Sequence, residues 1–166
     1  MALTPEQNDA WRSLVLVTHV LDDSLDRQAQ RDGGLPHAYY KVLVFLYESP
    51  ERRLTMSQLA EQQRYSTSRM THAVKSMEAS GWLRRVVSET DRRVRYVELT
   101  QDGIDLVRAV SPKQARDVRA KAFSKLDAVQ VAQLSAISLA IVGGLDGEQL
   151  GGSLAHSDGG ADGDGD

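Results

Sequence analysis

The sequence predicts a mostly helical (α+β) fold for this chain of 166 residues, on three observations. Apolar residues recur at helical spacing over much of the chain. Three of the predicted helices begin with a Thr or Asp that is followed three residues later by a Gln, and two others begin with a capping Ser or Thr. One region, residues 82–99, is rich in β-branched and aromatic residues around a polar turn, which is typical of a β-hairpin.

Two helices are predicted in the first 50 residues. The first begins at Thr4, which forms a capping box with Gln7, and it ends at Gly33-Gly34. Its apolar face is formed by Trp11, Leu14, Thr18, Leu21 and Leu25. Pro36 opens the second helix and Ser49-Pro50 ends it. This second helix is apolar on nearly every side, so we expect it to be buried.

Two shorter helices are predicted next, joined by a tight polar turn. The first begins with the capping box of Thr55 and Gln58 and ends at the polar residues 62–65. Ser66 caps the second, and Gly81 follows its end. The apolar stripe of this second helix consists of Met70, Ala73, Val74 and Met77.

A hairpin and two further helices complete the predicted order. The strands cover residues 82–88 and 94–99, around a charged tip at residues 89–93. Thr100 caps the next helix, which we expect Pro112 to kink or interrupt. Asp127 with Gln130 then caps the last helix. Residues 143–166 hold nine of the 13 glycines and six acidic residues, and we expect them to be disordered.

This order of elements predicts a winged helix-turn-helix with helical extensions at both ends. We divide the chain into an N-terminal helix (1–34), a winged helix-turn-helix domain (35–100), C-terminal helices (101–142) and a Gly/Asp-rich tail (143–166). A small winged domain does not need amphipathic helices at both termini unless they bury their apolar stripes in a partner subunit. The sequence therefore predicts a homodimer in which the terminal helices form the interface.

The charge distribution indicates what the winged domain binds. The whole chain has a net charge of -3, but residues 1–142 hold 20 basic and 17 acidic side chains and are net positive. Residues 52–95 alone hold ten Lys or Arg and four acidic residues. Such a concentration of positive charge is what binding to nucleic-acid phosphates requires. We therefore expect the winged domain to bind double-stranded DNA.

The candidate DNA contacts fall on the second short helix and on the hairpin. The first turn of that helix offers hydroxyls, backbone N–H groups and one arginine, and its polar face continues opposite the apolar stripe, which fits insertion into a major groove. The hairpin tip offers an arginine pair suited to a minor groove, beside an Asp expected to pair with Arg93 or with a strand arginine. The predicted DNA-binding residues are Ser66, Thr67, Ser68, Arg69, Thr71, His72, Lys75, Ser76, Arg85, Asp91, Arg92, Arg93 and Arg95.

Several other classes of protein are not favoured by the sequence. The absence of cysteine excludes disulfides and thiol chemistry, and no phosphate-binding glycine loop, nucleophile elbow or paired histidine motif indicates an enzyme or a cofactor. His19, Asp22, Asp23 and Asp26 have metal-like spacing, but an exposed acidic turn is the favoured interpretation and no metal is predicted. We expect no apolar run to be long enough for a membrane span, and the predicted location is therefore the cytoplasm.

Five segments together resemble the MarR family of transcriptional regulators. They are Leu54-Thr-Met-Ser-Gln-Leu-Ala60, Ser66 to Thr71, Gly81-Trp-Leu-Arg-Arg85, Asp91-Arg-Arg93 and Leu99-Thr-Gln-Asp-Gly103. The most specific are the Asp-x-Arg of the wing and the Leu-Thr-x-x-Gly that follows it. The resemblance covers roughly residues 8–142. Many members have a glycine where this chain has Val94, and the Gly/Asp-rich tail is not part of the family pattern.

The resemblance implies a dimer that places two recognition helices in successive major grooves of a pseudo-palindromic operator. It implies that Arg85 and Asp91 support the wing and that Arg93 enters the minor groove. Because family members sense aromatic or phenolic compounds near the first two helices, it also implies a small-molecule effector that releases a repressor from DNA. The candidate effector residues are Trp11, His19, Tyr39, Tyr40 and Tyr47. The alternative is a winged-helix module for protein contacts without sequence-specific DNA binding.

Overall fold

The computed structural model describes residues 2–146 and has the predicted helical order. The helices are α1 (Pro5–Gly33), α2 (His37–Glu48), α3 (Met56–Gln63), α4 (Thr67–Ala79), α5 (Gln101–Val118) and α6 (Ala128–Asp146). The strands are β1 (Arg53–Thr55), β2 (Leu83–Val87) and β3 (Arg95–Leu99). The chain divides into two units after Lys121, and α6 belongs to the second. The remainder of the predicted tail, residues 147–166, lies outside the described residues.

Local capping explains where the helices begin. The side chains of Thr4 and Thr55 accept hydrogen bonds from the backbone N–H groups of Gln7 and Gln58, and both Gln side chains accept in return from the Thr backbone. Asp127 and Gln130 make the same reciprocal pair at the start of α6. Each pair satisfies N–H groups that have no partner within the helix. The capping boxes predicted from the sequence are thus present at these helix starts.

The small sheet has one more strand than predicted. Strand β1 pairs antiparallel with β3, with Arg53 opposite Glu98, so the order across the sheet is β1-β3-β2. The prediction of a two-stranded hairpin was therefore incomplete. Strand β1 has only three residues, too few for an alternating pattern to show in the sequence. Its position anchors the start of α3 to the base of the hairpin.

The core lies between α2, the helix-turn-helix and one face of the sheet. Leu43 and Leu46 of α2 are completely buried, and so is Leu59 of α3. The other buried apolar side chains come from α4, the sheet and α5, and include Met70, Val74, Met77, Leu83, Val97, Val107 and Val110. Burial of α2 on nearly all sides agrees with its apolar sequence. This packing fixes which face of α4 points away from the body.

The structure corrects two expectations about the C-terminal helices, the interruption of α5 at Pro112 and the position at which the tail begins. Helix α5 is not interrupted at Pro112 but continues to Val118, followed by a π-helical turn at Arg119–Phe123. Helix α6 continues to Asp146, past the predicted start of the tail.

The expectation that no segment is long and apolar enough for a membrane span was also wrong. The window Ala128–Leu145 has 18 residues with a mean hydropathy of 1.7, which meets that description by length and composition. Gln133, Ser135 and Ser138 interrupt the apolar run in the sequence without lowering its average enough to exclude it. A single helix of this kind is weak evidence for a membrane protein, because the core helix of a soluble protein or a signal sequence can have the same length and composition.

Candidate nucleic-acid interface

The turn between α3 and α4 sets the direction of α4. Arg64 closes α3 in the left-handed region, with φ of 54°. The backbone N–H of Tyr65 then donates to the Ala60 carbonyl oxygen at 2.9 Å. Ser66 caps α4 by accepting a hydrogen bond from the Arg69 backbone N–H at 3.3 Å. These contacts reverse the chain within a few residues, so α4 starts at the protein surface.

Helix α4 has one buried face and one exposed polar face. Met70, Val74 and Met77 are completely buried and Ala73 is nearly so. The predicted contacts on α4 and its cap are all exposed: Ser66, Thr67, Ser68, Arg69, Thr71, His72, Lys75 and Ser76. The Thr71 hydroxyl already donates to the Thr67 carbonyl oxygen at 2.8 Å, so its remaining capacity is that of an acceptor. Helix α4 therefore presents donors, acceptors and two cations on one side.

The wing tip is held by short hydrogen bonds within residues 88–94. The Asp91 carboxylate accepts from the Arg93 backbone N–H at 2.9 Å. Asp91 therefore contacts Arg93, one of the two expected partners, but through the Arg93 backbone N–H; among residues 2–146 its carboxylate forms no ion pair with a guanidinium. Ser88 is buried, and its hydroxyl oxygen accepts from the backbone N–H groups of Thr90 and Asp91, both at 3.3 Å. Sequence reasoning missed Ser88, whose role depends on the folded shape of the tip.

Two arginines at the base of the wing are paired with glutamates. Arg85 contacts Glu78 of α4, with 3.5 Å between Nε and Oε2, and its backbone N–H donates to the same carboxylate. Arg84 pairs with Glu98 on the neighbouring strand at 2.8 Å. The Arg85–Glu78 pair joins the wing to α4. Arg85 thus has a position that suits the predicted supporting role, and Glu78 is its partner.

Five exposed cations of the candidate interface have no carboxylate partner in the described part of the chain. Among residues 2–146, Arg69, Lys75, Arg92, Arg93 and Arg95 form no ion pair. Arg92, Arg93 and Arg95 are all exposed, and Val94 between them is half-buried. An unpaired, exposed cation keeps its full attraction for an anion, whereas a paired one is partly neutralised. These five cations of α4 and the wing therefore keep their charge available to an anion.

The five candidate effector residues differ in their surroundings. Trp11 and His19 border a groove of about 300 Å³ on α1, and His19 also borders a neighbouring groove of about 600 Å³. Tyr40 is instead buried, and its hydroxyl lies 2.8 Å from the Ser111 hydroxyl. Tyr47 accepts a hydrogen bond from Arg108 at 3.4 Å, and Tyr39 packs at the edge of the core.

The acidic cluster of α1 does not form a metal site in the structure. No group of three or more His, Asp or Glu side chains able to hold a metal ion occurs in the described part of the chain. Asp26 accepts a hydrogen bond from the His37 backbone N–H at 2.9 Å, and Asp22 lies 3.9 Å from His37 Nδ1. His19 pairs with Asp23 at 3.7 Å. The acidic residues thus contact histidines and the α2 N-terminus.

These features define a winged helix-turn-helix protein with an exposed polar helix and a cationic wing. The chain matches the MarR family model over residues 33–94. It is similar to Sco3205, a MarR family regulator from Streptomyces coelicolor solved in complex with DNA, with 39% identity, a TM-score of 0.85, and coverage of 90% of this chain and 93% of that one. AbsC from the same organism is 32% identical, with a TM-score of 0.84 and coverage of 89% and 99%.

The chain is also similar to PrsX, an HTH-type transcriptional regulator of Escherichia coli, with 24% identity over 82 residues. That match spans about half of each protein, 49% of this chain and 49% of PrsX. The identity with Sco3205 over nearly the whole of both chains is much stronger evidence than this partial match. The chain belongs to the MarR family of transcriptional regulators.

Proposed function

We propose that this chain is a homodimeric repressor that binds a pseudo-palindromic double-stranded DNA operator and is released by a small-molecule ligand. The observation that carries the proposal is the exposed polar face of α4, backed by a fully buried apolar stripe and accompanied by unpaired cations. A helix in this arrangement has the shape and the hydrogen-bonding groups that a major groove accepts. The DNA complex of the related Sco3205 supports the same conclusion.

Each part of the surface has a distinct role in the proposal. The hydroxyls and N–H groups of Ser66, Thr67 and Ser68 contact phosphates at the start of α4. The other α4 contacts named above face base edges, and Arg93 enters a minor groove with Arg92 and Arg95 beside it. Arg85 and Asp91 hold the wing in shape through Glu78 and the tip backbone. The duplex is thus bound by positioning contacts and by base contacts together.

The proposed dimer explains the exposed apolar helices. In α1, Trp11 is 57% exposed and Leu16 is 63% exposed. In α6, which belongs to the second unit, the side chain of Val129 is 65% exposed and that of Ile137 is 58% exposed. Surfaces of this kind are buried against a partner in soluble proteins. We assign residues 1–34 and 101–142 to the interface, with a cytoplasmic location and no membrane contact. Sedimentation equilibrium of the full chain should give a dimer, and recovery in the membrane fraction would contradict the assignment of α6.

The proposed effector is a small aromatic or phenolic compound that acts by differential affinity. A ligand weakens DNA binding only if it binds better to a dimer whose recognition helices are wrongly spaced, and DNA then weakens ligand binding by the same factor. The grooves beside Trp11 and His19 on α1 are the best-supported location. The buried Tyr40 and the hydrogen-bonded Tyr47 serve the core and the α2–α5 contact in this proposal.

Selection of the purified full chain on a random duplex library tests DNA recognition. The expected product is an inverted repeat with half-sites about one helical turn apart. Affinity for that site and for a scrambled duplex is then compared at two salt concentrations. Lys75→Ala should weaken binding to the selected site, whereas Lys113→Ala, which removes an exposed lysine of α5 outside the candidate surface, should not.

The same experiment separates the alternative function. A protein-contact module would enrich no sequence and would bind both duplexes equally, with strong salt sensitivity. That result would refute the repressor proposal in favour of a winged-helix module that binds an acidic protein partner.

A further inference from the structure

Three arginines of the winged domain stack on tyrosine rings. Arg52 lies 5.0 Å from the ring centre of Tyr47, and Arg53 lies 4.8 Å from that of Tyr96. Arg69 lies 4.1 Å from the ring centre of Tyr65, the shortest of the three distances. Significant cation–π contacts occur roughly once per 70–80 residues, so three within residues 47–96 is an unusual density.

The Arg69 stack differs from the other two because it lies on the candidate interface itself. Arg53 also pairs with Glu51, so its charge is partly neutralised. Arg69 has no carboxylate partner in the described chain, and it is exposed. Its charge and its donors therefore stay available to DNA while the guanidinium plane is held against a ring.

Tyr65 is itself held in place by the fold. It lies in the turn before α4, its backbone N–H is bonded to Ala60, and its ring packs against the hydrophobic core as a half-buried side chain. Arg69 follows one helical turn later. A stack on Tyr65 directs the Arg69 side chain towards the N-terminus of α4, the end of a recognition helix that contacts base edges.

From this geometry we infer that Tyr65 is a positioning residue for DNA recognition, which holds Arg69 ready for its base contact. The inference rests on the proposed function. A free arginine side chain loses conformational entropy when it is ordered on binding, and a side chain already ordered on a ring loses less. Tyr65 therefore contributes to affinity and to specificity at the base read by Arg69 without touching the DNA.

The test is a double-mutant cycle with the full chain on the selected operator. Tyr65→Leu removes the ring and should weaken binding by about two- to five-fold, the range for an exposed cation–π contact. In the Arg69→Ala background the same change should have no further effect. Tyr65→Phe keeps the ring and should bind like wild type. The preference for the base read by Arg69 should decrease in Tyr65→Leu and be kept in Tyr65→Phe.

A measurement without DNA keeps the inference testable if Tyr65→Leu folds poorly. Proton NMR of the wild-type chain should show the Arg69 δ-methylene resonances shifted upfield by the Tyr65 ring, with Arg69→Lys used to assign them. Ordinary positions for these resonances would overturn the inference. Equal losses from Tyr65→Leu with and without Arg69, or tighter binding by Tyr65→Leu, would also overturn it.

Failure of the inference and failure of the proposed function give different results. A wild-type chain with no preferred sequence overturns the proposed function and, with it, the role of Arg69 in base recognition. Normal sequence preference without coupling between Tyr65 and Arg69 overturns the positioning role alone.

Discussion

Replacement of Gly103 by alanine tests how closely α5 packs against the base of the wing. Gly103 is buried in the first turn of α5, and its backbone N–H donates to the Thr100 hydroxyl oxygen at 3.2 Å. A Cβ at this position would lie 2.1 Å from the Trp82 carbonyl oxygen and 2.9 Å from Leu99 Cδ2. An ordinary contact needs at least 3.4 Å, so α5 and residue 82 would have to separate by about 1.3 Å.

The Trp82 carbonyl group cannot rotate away as a side chain would. It accepts a hydrogen bond from the Thr100 backbone N–H at 3.1 Å, which ties it to the start of α5. Overpacking of a core costs about 1–3 kcal/mol, and a backbone obstacle places Gly103→Ala at the upper end, near 3 kcal/mol. Alanine returns about 1 kcal/mol through helix propensity. The expected net loss of unfolding free energy is therefore about 2 kcal/mol.

Urea unfolding followed by circular dichroism measures this loss, and a thermal melt should show a decrease in Tm of about 4–8 °C. Gly143→Ala in α6 is the matched control because a Cβ there meets nothing within 4 Å. The control should be neutral or more stable by up to about 1 kcal/mol. Equal stability of Gly103→Ala and wild type would refute the packing argument and leave the Leu-Thr-x-x-Gly segment without a structural reason for its glycine.

Three further predictions concern pH, salt and a helix end. Burial lowers the pKa of His37 from its ordinary 6.5, and nearby Lys41 acts in the same direction. Because the unfolded chain then binds the proton more readily, the stability contribution is complete above pH 6.5 and is lost as pH falls below it. His37→Asn should therefore reduce the pH dependence of the unfolding free energy, measured by urea unfolding between about pH 5 and 8, and an unchanged pH dependence would contradict the burial argument. Arg93→Ala should lower the slope of log affinity against log salt by about one, with an unchanged slope as the contrary result. Gly34 caps α1 with φ of 69°, and a Cβ there would meet no atom within 4 Å, so Gly34→Ala should lower the unfolding free energy by about 1 kcal/mol through backbone strain alone. A thermal melt measures this loss, and an unchanged Tm would contradict the left-handed cap.

The parts of the fold that could be predicted are those determined by residues close together in the sequence. A capping box joins residues three apart, so the spacing of Thr4 and Gln7 is almost sufficient to predict the bonds. Strand β1 could not be predicted because Arg53 pairs with Glu98, far along the chain, and three residues give no periodicity. The interruption predicted at Pro112 does not occur for a different reason: proline removes only one N–H, and the packing of α5 is enough to continue the helix past it.

The candidate site shows the same division between local and distant information. The exposed face of α4 follows from its apolar stripe, because a helix that buries Met70, Val74 and Met77 must expose the opposite side. The bond from the Arg93 backbone to Asp91 could not be read from the sequence, since it depends on the shape of the tip. The aromatic residues of α1 and α2 are similar in composition but not in burial, because α2 turns Tyr40 into the core while Trp11 stays exposed on α1.

The number of basic residues predicts the kind of ligand but not the surface that binds it. Three arginines between residues 52 and 95 form ion pairs: Arg53 with Glu51, Arg84 with Glu98 and Arg85 with Glu78. Part of the positive charge of this segment therefore stabilises the sheet and its junction with α4. The five other exposed cations of α4 and the wing, by contrast, form no ion pair in the described part of the chain. Of the pairing glutamates, Glu51 adjoins that basic segment in the sequence, whereas Glu98 reaches Arg84 through the pairing of β2 with β3. The fold thus neutralises the arginines that support the structure and leaves charged those that face the proposed DNA, which is how a chain with a net negative charge can present a cationic interface.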